Sequence, residues 1–156
     1  SPTARKMFEN TRKALEKQVE GVTEPGRIAQ FAEQVIGLMK ILISVSGEDR
    51  KKQYEASIFT LHWVAGDMYE KAEKWDQALE AIKTLPEPAS YDWAISYRRA
   101  RICAEKADFE GSKAYLRICR DHGMRRLGAV RMDWGFHRLR DTDGWSAFVQ
   151  EFETAN

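Results

Sequence analysis

Residues 66 to 119 carry two copies of one pattern, offset by 34 positions. Gly66 corresponds to Ala100, Tyr69 to Cys103, Trp75 to Phe109, Asp76 to Glu110, Ala78 to Ser112, Ile82 to Leu116 and Leu85 to Cys119. Most pairs keep their type: small opposite small, aromatic opposite aromatic, acid opposite acid. A period of this length holds one helix–turn–helix. One hairpin cannot bury its own apolar face, so such units must pack against neighbours. Repeats of this kind present surfaces to other molecules rather than assemble reaction centres.

The rest of the chain fits an all-helical reading. Thr3 to Val19 is predicted as a helix with a partial apolar stripe of Met7, Ala14 and Leu15. Gly21 to Gly26 breaks it, with Pro25 where a helix can start. Arg27 to Val45 follows, apolar at Ile28, Phe31, Ala32, Val35, Leu38, Met39 and Leu42. Ile36, Ile41 and Ile43 widen that face and predict burial on more than one side. After Gly47, Asp49 to Ala72 forms a long third helix, with Tyr54, Ile58, Leu61, Ala65, Met68 and Tyr69 inward. Trp75 to Leu85 is stopped by Pro86 and Pro88. Ser90 caps Tyr91 to Lys106, and Phe109 to His122 follows the turn at Ala107–Asp108. Met124 to Met132 and Gly144 to Glu153 complete the chain. No stretch alternates with period two, so no sheet is expected. The whole chain, 1–156, reads as one all-helical domain: an N-terminal helix pair (1–50), two repeat units (51–123) and a capping segment (124–156).

Within each unit a small residue midway along the first helix (Gly66, Ala100) lets the second helix cross closely. A small residue early in the second (Ala78, Ser112) completes the crossing, and Ile82 and Leu116 fill the seam. The pattern Ala65-Gly66-x-x-Tyr69, Trp75-Asp76-x-Ala78, Ile82, with its counterparts 34 residues on, resembles the tetratricopeptide repeat family. The second copy departs from the family at Cys103, in place of the aromatic, and at Ser112, in place of alanine. The segment Asp133-Trp134-Gly135-Phe136-His137-Arg138-Leu139-Arg140-Asp141-x-Asp143-Gly144-Trp145-x-x-Phe148 is similar to the piece that closes many bacterial arrays of this family. Leu139, Asp141 and Trp145 hold the matching places, and Trp134 stands where proline is more usual. The resemblance covers about residues 54–153; residues 1–50 fit it poorly and read as a diverged helix pair capping the front.

The resemblance implies a short right-handed α-solenoid of about seven helices with a concave groove lined by the first helix of each unit. Carried over residue by residue, it places Trp63 and Asp67 of the first copy, and Tyr97 and Arg101 of the second, on that wall, flanked by Glu70 and Arg98. Each pair is four residues apart and so shares a helix face. Aromatics mixed with charges suit an extended peptide, a partner helix or a companion domain. Some members clamp a C-terminal carboxylate with lysines and asparagines at such places. Trp63, Asp67 and Tyr97 stand there instead, so that clamp is not expected.

Net charge is +1, but residues 94–140 carry an excess of +7. That excess is read either as a solvated arginine face paired with nearby acids or as an attraction for an acidic peptide, nucleic acid or anionic membrane. The cluster Arg117, Arg120, Arg125, Arg126 and Arg131 lacks any nucleic-acid motif around it. Cys103 and Cys119 form no CxxC pair and read as buried small residues in a reducing, cytoplasmic compartment. His62, His122 and His137 show no metal-ligand spacing. There is no phosphate-loop or hydrolase motif. Ser1 in place of an initiator Met fits a processed product or a piece of a longer protein. The apolar run Val35 to Val45 is too short to span a bilayer. The expectation is a non-enzymatic protein–protein interaction module or adaptor, without cofactor, metal or small-molecule substrate. Two alternatives are a helical oligomerisation domain acting through residues 1–50, and nucleic-acid binding through the Arg-rich region 94–140.

Overall fold

The computed structural model describes residues 6, 9, 10, 13, 14, 17, 24–83, 85 and 93–155. All regular structure among them is helical. The helices are α1 (Pro25–Ser44), α2 (Glu48–Lys71), α3 (Trp75–Lys83), α4 (Ala94–Glu105), α5 (Phe109–Asp121), α6 (Gly128–Met132), α7 (His137–Arg140) and α8 (Trp145–Thr154), with a 3-10 turn at Trp134–Phe136. Contacts gather into two compact units, Ser1–Thr84 and Leu85–Asn156, so the division falls at the end of the first repeat copy, just before its last matched residue, Leu85. Of the expected N-terminal helix, Met7 and Leu15 lie outside the described residues, as do Gly21, Pro86, Pro88, Ser90 and Tyr91. Lys6, Glu9, Asn10, Lys13, Ala14 and Lys17 are helical.

In the first unit α1 packs on α2, and α2 on α3. Pro25 occupies the first helical turn of α1, where its missing N–H costs nothing. Ala29, Ala32, Val35, Ile36 and Leu42 are buried. Ile41 is 66% exposed, against the expectation of burial on several sides. At 100° per residue Ile41 falls on the side of α1 opposite that stripe, which α2 does not cover. Along α2 only Ala65, Gly66 and Tyr69 are buried. Tyr54, Ile58, Leu61 and Met68, all predicted inward, are half-buried.

In the second unit α4 packs on α5, on the 3-10 turn and on α7, and α5 touches α8. The core joins Ala100 and Ala104 to Leu116, Leu127, Val130, Phe136, Leu139, Phe148 and Phe152. Three cations of α5 lie over the rings of α8: Lys113 and Arg117 over Phe148, Arg120 over Phe152. Their stems cover apolar surface, and the Nη1 atom of Arg120 is buried there without a hydrogen-bond partner among the described residues.

The 34-residue offset recurs atom by atom in the two turns. Each first helix ends at an equivalent residue, Lys71 and Glu105, and each second helix starts at one, Trp75 and Phe109. The amide of Lys74 donates to the Tyr69 carbonyl at 2.9 Å, and that of Asp108 to the Cys103 carbonyl at 2.8 Å. Glu73 (φ 56°) and Ala107 (φ 62°) hold the left-handed conformation that closes such turns. Gly66 and Ala100, Tyr69 and Cys103, Ala78 and Ser112, Ile82 and Leu116, Leu85 and Cys119 are buried in both copies. Trp75 and Phe109 are half-buried, and Asp76 and Glu110 exposed. One chemical difference matters. Ser112 replaces alanine at the crossing, and its hydroxyl donates to the Ala100 carbonyl at 2.8 Å, so the buried oxygen is satisfied.

Candidate partner-binding face

The residues assigned to a partner fall on the first helix of each repeat copy, one set in each unit. On α2, Trp63, Asp67 and Glu70 are all half-buried. Phe59, one turn before Trp63, lies nearly parallel to its ring, with centroids 6.4 Å apart and 11° between planes. Phe59 is itself 37% exposed. The spacing Phe59-x-x-x-Trp63-x-x-x-Asp67 therefore makes a ladder of two rings and a carboxylate along one face. Sequence inspection singled out the last two and missed Phe59, although its distance of four residues from Trp63 was the available signal.

Beside this ladder α1 and α2 share a small polar cluster. Tyr69, at 4% exposure, bonds through its hydroxyl to the Glu33 carboxylate. Burial, then that bond and the Glu33 charge, push the phenol up to about 12. Burial likewise lowers the His62 imidazole below its ordinary 6.5, with Lys40 adding to the effect and Glu33 opposing it. His62 is thus held towards its neutral form.

On α4 the assigned residues behave differently. Tyr97 is half-buried, and its hydroxyl donates to the Asp133 carboxylate at 2.8 Å. Its ring meets Phe136 edge-on at 5.3 Å and Trp93 at 5.7 Å. Burial, and then the bond to Asp133, raise the Tyr97 phenol well above its ordinary value; Arg101 opposes the shift. Arg101 pairs with the same Asp133 carboxylate at 3.8 Å. The other Asp133 oxygen accepts from the Gly135 amide at 2.9 Å. A methyl group on Gly135 would overlap the Arg101 stem, so glycine there permits the close approach. Arg98 is buried, at 3% exposure. The face carrying Tyr97 and Arg101 is therefore packed by the chain's own 133–136 segment. Asp133, read from sequence only as part of a closing turn, is the hub of that packing.

The arginine excess of residues 94–140 is spent largely inside the unit. Arg99 is buried and donates to the Leu85 carbonyl at 2.7 Å. Arg117 pairs with Glu151 and Arg131 with Glu153. Arg138 donates to the Glu105 carbonyl, and Arg140 to the carbonyls of Val130 and Asp133. Arg125 and Arg126 remain exposed. Trp134, 74% exposed, lies flat on the His137 ring at 4.4 Å. Cys103 and Cys119 are both buried free thiols. Among the described residues no three His, Cys, Asp or Glu side chains converge on one point, and no helix is long and apolar enough to cross a membrane. Compared with protein-family models, curated proteins and solved structures, the chain matches none.

Proposed function

We propose that the chain is a non-enzymatic interaction module of the tetratricopeptide-like class, a short right-handed α-solenoid that takes a peptide, a helix or a companion domain. The observation that supports this reading is the turn repeated 34 residues apart, with the same hydrogen bonds, the same left-handed residue and the same buried positions. A scaffold that reproduces a hairpin in such detail suits surface presentation. Recognition is assigned to the first helix of each copy: Trp63, Asp67 and Glu70 on α2, and Tyr97 and Arg101 on α4, while the buried Arg98 drops out of the contact set. Trp63 and Asp67 make the sharper test, because Tyr97 and Arg101 also hold residues 133–136 in place. Affinity capture from native lysate is expected to yield a partner with the unaltered chain. A folded Trp63→Ala/Asp67→Lys variant is expected to lose it. Equal recovery by both proteins would remove the α2 face from the proposal.

A second reading is self-association through residues 1–50, favoured by the exposure of Ile41. Sedimentation of the full chain is then expected to show a concentration-dependent mass that Ile41→Lys abolishes. A monomer at high concentration would end this reading.

A further inference from the structure

The first unit contains a cleft of about 600 Å³ where the N-terminal helical residues meet the turn between α1 and α2. This lies within the usual size of small-molecule sites, roughly 300–1,000 Å³. Lys6, Glu9, Asn10 and Lys13 line one wall. Their spacing of three, one and three residues puts all four on a single helix face. Arg50 lines the cleft as well, and Leu42, Val45 and Tyr54 give it its apolar lining. Leu42 is buried and Val45 is 51% exposed, so the apolar surface runs from the core to the mouth.

The charges decide what this cleft fits. Lys6, Lys13 and Arg50 all line it, and among the described residues Glu9 is the one acid on its walls. Among the described residues none of the three cations has a hydrogen-bond or ion-pair partner. Lys6 and Lys13 are spaced to pair with Glu9 along the helix, and neither does. Glu48 and Asp49, together with Gly47 and Arg50, line an adjoining, smaller depression. Three unpaired cations around a concave apolar surface focus positive potential into it. An anion entering the cleft offsets their mutual repulsion. The exposed apolar lining adds favourable burial. Neither a bare inorganic anion nor a neutral apolar compound uses both features.

We propose that this cleft binds a small organic anion with an apolar body, a carboxylate, sulfonate or phosphate ester. The cations take the charged end, and Leu42, Val45 and Tyr54 take the body. This site stands apart from the partner-binding reading and survives if that reading fails.

Two fluorescent naphthalene probes test it on the full chain: anilinonaphthalene sulfonate, which is anionic, and phenylnaphthylamine, its neutral counterpart. The sulfonate is expected to bind at one saturable site and to weaken with added salt. A Lys13→Glu/Arg50→Glu variant, with unchanged helical circular dichroism and melting temperature, is expected to lose about tenfold or more in affinity for the sulfonate. Its affinity for the neutral probe is expected to stay within about twofold. Should the double variant fail to fold, the single Arg50→Gln change at an exposed position replaces it, with a loss of about threefold. Equal sulfonate affinity in the unaltered and charge-altered chains overturns the proposal. So does unsaturable or undetectable binding to the unaltered chain, or equal loss of both probes in a folded variant.

Discussion

At the scale of single residues, His62 links the first unit to pH. Its imidazole titrates below 6.5 in the fold because burial, and then Lys40, disfavour the charged form. The unfolded chain therefore takes up a proton at higher pH than the folded one. Stability from this group is fully present above about 6.5 and is lost as pH falls through the folded value. Denaturant midpoints measured from pH 7.5 down to 5 are expected to decline for the unaltered chain and to decline less steeply for His62→Gln. Parallel profiles would show that His62 does not set the slope. None of this was readable from sequence. His62 there was only a histidine without metal-ligand spacing, and its environment comes from Lys40 and Glu33 on another helix. Tyr97 shows the converse. Its helix and its four-residue step to Arg101 were legible, but its hydroxyl partner, Asp133, lies 36 positions along the chain.

Among elements, the two hairpin turns are the part of the fold that sequence captured best. The paired residues Trp75 and Phe109, and Ala78 and Ser112, fixed where the second helices begin and cross. The left-handed residues were not foreseen, because neither Glu73 nor Ala107 is the glycine such a position favours. A non-glycine residue there carries a backbone cost of about 1–2 kcal/mol. Glu73→Gly and Ala107→Gly are each expected to stabilise their own unit by roughly 0.5–1 kcal/mol, glycine's greater unfolded freedom offsetting part of the gain. Chemical denaturation measures both. Opposite signs at the two positions would break the equivalence of the turns. One helix end elsewhere shifted by two residues: α1 begins at Pro25 rather than Arg27. The short 3-10 turn and α7 escaped sequence reading, since three or four residues are too few to show a helical period.

For the whole molecule, the leading fact is the division into two compact units. The second unit has its own core, from Ala100 through Phe136 to Phe152, and its own polar ties at Asp133 and Glu153. A fragment of residues 85–156 is therefore expected to stay helical and to melt cooperatively, as followed by circular dichroism and calorimetry. A broad, heatless transition would show that its interior depends on the first unit. Leu116→Ala in this fragment removes a fully buried side chain and is expected to cost about 2–5 kcal/mol.

The matched bends at Glu73 and Ala107 carry one more implication. A gene shortened so that Ala72 is followed directly by Ala107 would delete a single period and leave a bend that either helix already knows how to make.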